Sequence, residues 1–167
     1  MLARNIDKLI NNTKLISQFG SSSYYAKCDV KNNNEVIQSF DNAWKEMNGI
    51  DIAILNAGIG FTEWFKEYES EKVRKIFDVN FFGLIHCLEA IIPRMISQGY
   101  GTIVGISSLA DARGIPGNSA YCSSKAAVTE ILEAARIELK SYNIKVITVK
   151  PGFINTALLS NSDSIRP

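Results

Sequence analysis

Apolar residues recur along this chain at two different spacings, which predict alternating helices and strands. Apolar residues at helical spacing occupy four segments: 4–19, 34–47, 70–98 and 120–140. Runs typical of strands occupy four others: 22–28, 51–55, 103–106 and 144–149. Strands separated by helical segments predict an α/β fold with a parallel sheet and right-handed crossovers.

Two of these segments carry more specific expectations. The strand at 51–55 is too apolar to have a solvent face, which is typical of a central parallel strand. The long helix at 70–98 contains Pro93, which we expect to kink or loosen its last turns. Asn80 lies among phenylalanines on the same helix, where an amide is costly unless it is hydrogen-bonded. The pattern alone favours a packing or helix-bending role for Asn80.

Composition and charge narrow the class of protein. The chain has 167 residues, 46% hydrophobic and 21% charged, as expected for one ordinary globular domain. A net charge of +1 without basic runs argues against nucleic-acid binding and against a membrane-surface patch, and we expect no membrane span. Cys28, Cys87 and Cys122 are odd in number and widely spaced, so we expect reduced thiols, a cytoplasmic location and no metal site.

Candidate chemistry is concentrated between residues 103 and 125. An apolar strand ends in Ser107 and Ser108, a loop rich in glycine and proline follows, and then Tyr121 and Lys125 stand four residues apart. Residues at that spacing share a helix face, so a phenol and an ammonium can approach one atom. A nearby cation favours the phenolate, and a serine hydroxyl can bond the reacting oxygen, so the set suits proton exchange with a carbonyl or alcohol.

These residues resemble the active-site signature of the short-chain dehydrogenase/reductase family. Ser108 stands thirteen residues before Tyr121, and Lys125 closes the motif YCSSK. Asn56-Ala57-Gly58 after the 51–55 strand resembles the family's NAG motif, and Pro151-Gly152 with Thr156 resembles its proline-glycine motif. The resemblance implies a Rossmann-like doubly wound parallel sheet and hydride transfer between a nicotinamide cofactor and a carbonyl or secondary alcohol.

The resemblance also implies a role for each catalytic residue. Tyr121 exchanges the proton, and Ser108, rather than Ser107, orients the substrate oxygen. Lys125 binds the cofactor ribose and lowers the pKa of the tyrosine. Asn80 holds a water that connects the lysine to a proton relay, which replaces the packing interpretation given by the pattern alone.

The implied cofactor-binding residues lie along the whole chain. The NAG triad, Tyr121 and Lys125 belong to them, as do four residues near the chain end: Pro151, Gly152, Ile154 and Thr156. The opening MLARN resembles the end of the family's second strand, where an arginine often contacts the 2′-phosphate of NADP, so Arg4 favours NADP, with NAD as the alternative. Asp29 and Val30 match an adenine-contacting pair, although an aspartate at a strand end is as often a turn residue.

The chain also departs from the family pattern. It has no TGxxxGxG turn, whose backbone N–H groups and helix N-terminus would hold the cofactor pyrophosphate. The first two strands and the last strand of the sheet are expected to be absent, so residues 1–167 form one incomplete domain. In the family's sheet the first two strands lie between those that correspond to 22–28 and 51–55, so their absence leaves a gap there. Either the sheet re-pairs across this gap or apolar edges lie open. The sequence is then part of a longer polypeptide, a shortened gene product, or a chain completed by another.

Two functional hypotheses follow. The first is an oxidoreductase acting on a small carbonyl or alcohol substrate, which the composition of the loop at 109–119 does not identify. The second is an inactive interaction module, because the helices at 70–98 and 120–140 commonly form a bundle with a second subunit in the family. A homo-oligomer through those helices is expected in either case. His86 is interpreted as a packing residue and Lys150 as a solvated charge.

Overall fold

The computed structural model describes residues 1–152 of the chain, and within them helices and strands alternate. The five strands are β1 (Leu2–Ala3), β2 (Ala26–Lys27), β3 (Ile52–Leu55), β4 (Gly101–Ile106) and β5 (Ile144–Val149). The five α-helices are α1 (Ile6–Ser17), α2 (Asn33–Met47), α3 (Ser70–Phe77), α4 (Gly83–Gln98) and α5 (Ser119–Glu138). Short 3₁₀ turns cover Phe65–Glu67, Leu109–Asp111 and Leu139–Tyr142.

Asparagines and a glycine set the ends of several helices. Asn5 caps α1 by accepting a hydrogen bond from the backbone N–H of Lys8 at 2.9 Å, and Asn32 caps α2 in the same manner. Such side chains satisfy backbone donors that have no partner inside the helix. At the other end, α2 stops at Asn48 and α4 at Gly99, both with left-handed backbone. The predicted helix bounds therefore hold to within about two residues at most ends.

All of the strands pair in parallel, but they form two separate sheets. β1 pairs with β2, while β3, β4 and β5 form a sheet in that order. Within the described residues β3 pairs only with β4, so the predicted gap is not closed by re-pairing. The α/β, Rossmann-like parallel architecture is confirmed, and of the two outcomes considered for the gap, the open edge is the one observed. The predicted strand at 22–28 is reduced to Ala26–Lys27.

The prediction that the 51–55 strand has no solvent face is wrong. Ala53 and Leu55 are buried, but Ile52 and Ile54 are 60% and 65% exposed. Successive side chains of a strand point to opposite faces, so only one face of β3 packs on the core. The other face has no covering element in the part of the chain that the structure describes. The run is apolar, as in a central strand, but it lies at a sheet edge because β3 pairs only with β4 among the described residues.

The predicted helix at 70–98 is one continuous helical path with a change of pitch inside it. α3 runs into a π-helical segment at Asp78–Phe82, which α4 continues, and Pro93 is accommodated within α4. By length and composition Ser70–Gln98 could cross a membrane, but half of its most apolar window is buried in the fold. A core helix of a soluble protein meets the same criterion, so this is weak evidence for a span.

The main core lies between the three-stranded sheet and the helices. Ile103 of β4 is fully buried, as are Ile91 and Met95 of α4 and Leu132 of α5. The helices α4 and α5 thus pack against β4, and the candidate residues Ser107 and Ser108 follow the end of this strand.

Candidate active site

The predicted motifs meet at the carboxyl ends of the three-stranded sheet. Asn56-Ala57-Gly58 follows β3, Ser107-Ser108 follows β4, and Pro151-Gly152 follows β5. Parallel strands end at the same edge, and ligands of α/β folds bind outside that edge. The motifs line one cleft of about 1240 Å³, which extends to the β1–β2 sheet. The fold therefore joins segments that are distant in the sequence.

The Ser108 hydroxyl lies close enough to the Tyr121 phenol, in the same cleft, to lower the pKa of that phenol. The Ser108 hydroxyl also accepts a hydrogen bond from the backbone N–H of Ala110 at 3.1 Å, which fixes its position at the start of the 3₁₀ turn. Tyr121 is half-buried in the first turn of α5. Burial raises the pKa of Tyr121, and the Ser108 hydroxyl opposes this without reversing it. The phenol is therefore protonated at neutral pH.

Lys125 lies one turn further along α5 with its ammonium inside the fold. Only 4% of the residue is exposed, and Nζ donates a hydrogen bond to the carbonyl of Ile106 at 2.8 Å. Burial lowers the pKa of Lys125 to about 8. Nζ lies 5.8 Å from the centre of the Tyr121 ring. The expected lowering of the tyrosine pKa is not seen, because burial dominates and the ammonium is directed at a carbonyl.

Asn80 is buried in the π-helical segment and bonded through its whole side chain. Its Oδ1 accepts from the backbone N–H of Ile59 at 2.7 Å, and its Nδ2 donates to the carbonyl of Ile59 at 2.9 Å. Nδ2 also donates to the hydroxyl of Ser124 at 3.0 Å. π-Helical turns are rare and frequently occur at functional sites. Asn80 thus ties the loop after β3 to α5, next to Tyr121 and Lys125.

The loop after β3 runs close to Lys125, Asn80 and Tyr121 because it carries two glycines. A Cβ on Gly58 would lie 3.4 Å from Lys125 Nζ and 3.5 Å from Asn80 Oδ1. A Cβ on Gly60 would lie 3.1 Å from Cδ2 of Tyr121. Gly60 is therefore a contact residue that the motif comparison missed, and its place two residues after the NAG triad is the signal that could have identified it.

Arg4, Asp29 and Val30 line the far end of the cleft, beside the β1–β2 sheet. The Asp29 carboxylate accepts a hydrogen bond from the backbone N–H of Lys31 at 3.0 Å, so it does form a turn. The Val30 carbonyl lies 2.7 Å from Nδ1 of His86. His86 thus positions the Val30 segment, consistent with its interpretation as a packing residue.

Pro151 and Gly152 line the near end of the cleft, and the Pro151 carbonyl accepts from the backbone N–H of Leu109 at 3.0 Å. The loop after β5 is thereby joined to the loop after β4. The two remaining predicted cofactor residues, Ile154 and Thr156, lie outside the described residues.

The sequence predicts a solvated charge at Lys150, and its side chain is 39% exposed, but it also forms an ion pair that this interpretation does not include. Its Nζ lies 2.8 Å from Oδ2 of Asp111, whose side chain is 5% exposed. The hydroxyl of Thr129 donates to the same carboxylate oxygen. Sequence reasoning missed Asp111 and Thr129 altogether. The only available signal for Thr129 was its position four residues after Lys125, on the same face of a helix.

The predicted cofactor residues lie together. All of those within 1–152 line one cleft, and the glycines at 58 and 60 leave room beside Lys125 and Tyr121. Over the same residues there is no group of three or more His, Cys, Asp or Glu side chains that could hold a metal ion.

Comparison with known proteins agrees with this geometry. The family model for short chain dehydrogenases matches residues 1–166. An uncharacterized oxidoreductase of Myxococcus xanthus strain DK1622 is 36% identical over 122 residues, which cover 73% of this chain and 48% of the relative. A 3-ketodihydrosphingosine reductase of Bacteroides thetaiotaomicron is 35% identical, covering 80% and 49% respectively. The chain spans about half the length of these curated relatives.

The solved structures show the same likeness in three dimensions. The crystal structure of an NAD⁺-bound xylitol dehydrogenase is 30% identical and has a TM-score of 0.90, covering 95% of this chain and 61% of that one. From the matched family model and the motifs gathered in one cleft, the chain belongs to the short-chain dehydrogenase family.

Proposed function

We propose that this chain carries the catalytic centre of a short-chain oxidoreductase that transfers hydride between NADP(H) and a carbonyl or secondary alcohol. One observation supports this above the others: Ser108, Tyr121 and Lys125 converge at one end of a cleft whose other end is lined by Arg4. The names of the relatives, which are oxidoreductases and reductases, support the same class of reaction.

The protonation states favour a reaction in which Tyr121 acts as an acid. The bound nicotinamide would supply or accept the hydride at the substrate carbon. Tyr121, whose pKa is raised by burial, would donate its proton to the carbonyl oxygen. The hydroxyl of Ser108, beside Tyr121, would donate a hydrogen bond to the same oxygen and polarise the carbonyl while keeping its own proton. In the direction of alcohol oxidation the Tyr121 phenolate would take up the one proton of the alcohol, and the hydride would move to the nicotinamide.

Lys125 would act on the cofactor side of the site. With a pKa of about 8, its ammonium is still mostly charged at neutral pH. The charge lies in a low-dielectric environment, where its interaction with a ribose hydroxyl and the tyrosine oxygen is stronger than in water. Asn80, in our proposal, holds the loop after β3 in place and supports the water relay.

The preference for NADP rests on the charges at the β1 end of the cleft. Arg4 and Lys8 both line this end. Two cations suit a 2′-phosphate, whereas NAD offers only hydroxyls there. We expect Arg4→Ala to weaken NADPH binding more than NADH binding. Arg136→Ala, an exposed arginine on α5, is the control and should change neither. Equal weakening of both cofactors would contradict the preference for NADP.

The function is tested by titrating the purified chain with NADPH and NADH and following nucleotide fluorescence. Saturable binding followed by reduction of a panel of aldehydes and ketones would support the proposal. A folded chain that binds neither nucleotide would contradict it for this chain and favour the interaction-module hypothesis.

We also propose a homo-oligomer through the helices at 70–98 and 120–140. Phe82 is 50% exposed and Ile137 is 78% exposed, which supports an apolar contact surface on these helices. The solution mass, measured in the same sample as the titration, tests it. A cytoplasmic location is proposed as well, and three buried free cysteines support it.

A further inference from the structure

A buried carboxylate lies directly behind the catalytic serine. Oδ2 of Asp111 accepts a hydrogen bond from the Thr129 hydroxyl at 2.5 Å and lies 2.8 Å from the Lys150 ammonium. The Ser107 hydroxyl approaches the same oxygen at 3.4 Å. Burial raises the pKa of Asp111, but Lys150 and the Thr129 hydroxyl outweigh it, and the pKa stays below its usual value. One ionised carboxylate thus joins three elements: α5, the end of β4 and the end of β5.

Asp111 is the last residue of the 3₁₀ turn that carries the Ser108 hydroxyl. Ser108 begins this turn and Asp111 closes it, with the backbone N–H of Asp111 donating to the carbonyl of Ser108 at 3.2 Å. A three-residue turn has few internal hydrogen bonds, so its orientation depends on what holds its end. Thr129 and Lys150 hold that end, and therefore set where the serine hydroxyl points.

The same cluster also contacts the segment that carries Lys125. The Ser107 hydroxyl donates to the carbonyl of Lys125 at 3.0 Å and lies 2.7 Å from the Thr129 hydroxyl. In return, the Lys125 ammonium donates to the carbonyl of Ile106. The end of β4 and this turn of α5 therefore each donate a hydrogen bond to the other. Asp111 is the charged residue of the cluster and also accepts a hydrogen bond from Thr129 of α5.

Lys150 extends the connection to the cofactor side. It directly precedes Pro151, whose carbonyl accepts from the backbone N–H of Leu109 in the same 3₁₀ turn. The ion pair and this backbone bond hold the turn and the loop after β5 together at two points. Neither Asp111 nor Lys150 belongs to the motifs that identified the site.

We propose that the Asp111–Lys150 pair positions the catalytic groups. It holds the Ser108 hydroxyl beside Tyr121 and keeps the 3₁₀ turn in place next to Pro151-Gly152. This inference rests on the proposed function for its effect on catalysis. Its structural content is the position of the Ser108 hydroxyl beside the Tyr121 phenol, which the pKa of Tyr121 reports in the absence of turnover. Asp111 and Lys150 are positioning residues, since they act through Ser108.

The test compares four variants. Lys150→Met removes the charge and keeps an apolar stem, whereas Lys150→Arg keeps the charge. Asp111→Asn keeps a side chain of the same shape without the charge. Lys145→Met is the matched control, because Lys145 is exposed on β5, the strand that Lys150 directly follows, and makes no ion pair among the residues described. Circular dichroism and thermal unfolding establish that each variant is folded.

The first measurement is the pKa of Tyr121, followed by ¹³Cζ-tyrosine NMR and assigned with Tyr121→Phe. The nearby Ser108 hydroxyl lowers this pKa, so its displacement should raise it. We expect an upward shift in Lys150→Met and Asp111→Asn, a value near that of the wild type in Lys150→Arg, and no change in Lys145→Met. An unchanged pKa in a folded Lys150→Met variant would overturn the proposal.

The second measurement is steady-state kinetics in the variants that bind cofactor. Misplaced catalytic groups lower kcat more than they change KM, and a displacement of about 1 Å can cost about a hundredfold in rate. We expect kcat to fall about 10- to 100-fold in Lys150→Met, with the KM for substrate changed less than about twofold and with rescue by Lys150→Arg. An equal kcat in Lys150→Met and the wild type would overturn the proposal. Should the wild-type chain bind no nucleotide, the proposed function fails, and the tyrosine titration still decides the positioning role.

Discussion

The side-chain amide of Asn80 pairs with the backbone of Ile59 in the way that two strands pair, with one hydrogen bond in each direction. The two distances are 2.7 and 2.9 Å, and the amide of Asn80 is buried within a π-helical segment. A loop that must pass beside Lys125 is thereby held by a single side chain. Several predictions about the site depend on such contacts.

Asn80→Ala should destabilise the protein and disorder the loop after β3. The substitution leaves the N–H and carbonyl of Ile59 without their partner, and an unsatisfied buried polar group costs about 1–3 kcal/mol. Chemical unfolding followed by circular dichroism measures this loss. Asn12→Ala, an exposed asparagine on α1, is the control and should unfold as the wild type does. Equal stability of the two variants would show that the Ile59 contacts contribute nothing.

Tyr121→Phe should abolish most of the proposed catalysis and leave nucleotide binding nearly unchanged. The ring and its packing remain, but the donated proton is lost, and a positioned acid contributes about a hundredfold to ten-thousandfold in rate. Single-turnover reduction of a carbonyl substrate by NADPH measures the effect, and nucleotide fluorescence measures binding. The control is Tyr142→Phe, since Tyr142 is 50% exposed. Full activity in Tyr121→Phe would exclude this residue as the acid.

Lys125→Met should make the chain more stable at neutral pH than the wild type, by an amount that depends on pH. The folded state lowers the pKa of Lys125 from 10.5 to about 8 because the charge is buried. Between these values the unfolded chain binds more protons than the folded chain, so the stability of the wild type rises with pH across this window. The advantage of the methionine is therefore largest below about pH 8 and shrinks toward about pH 10.5.

Urea unfolding of both proteins at a series of pH values measures this difference. Lys145→Met, at an exposed position, is the control for a general effect of removing one positive charge. A stability difference between Lys125→Met and the wild type that does not vary above pH 8 would contradict burial as the cause of the shift.

Replacing both Ile52 and Ile54 by lysine should reduce self-association with little loss of stability. These side chains are 60% and 65% exposed on β3, whose outer edge pairs with no strand among residues 1–152. Exposed apolar edge strands promote association, and lysine is the residue that natural edges use against it. Sedimentation velocity over a range of concentrations measures the effect.

Ile137→Lys on α5 tests the proposed helical homo-oligomer separately, because it places the same change on the helical surface, and it should weaken association on its own. Association that responds to Ile137→Lys and not to the β3 variant would contradict a contribution from the open edge of β3 and leave the helices as the contact.

Much of the fold could be predicted from the sequence because its signals are local. Asparagine side chains cap the starts of α1 and α2, and β4 and β5 are apolar runs bounded by loop residues. The proximity of the proposed catalytic residues Tyr121 and Lys125 could be predicted as well, since the two share a helix face by spacing alone. Ser108 and Asn80 needed the family resemblance, because nothing in their immediate surroundings indicates chemistry.

Tertiary structure alone decided the surroundings of those residues. An apolar run is the same in a central strand and in an edge strand, so the exposure of Ile52 and Ile54 depends on which strands are present beside β3. The pKa of Tyr121 depends on burial as well as on neighbouring groups. The spacing to Lys125 indicates one neighbouring group but says nothing about how deeply the phenol is buried. The sequence by itself determined which residues could do chemistry. The partner of Lys150, thirty-nine positions away at Asp111, was decided by packing, because electrostatic contacts between distant segments leave no periodic pattern in a chain.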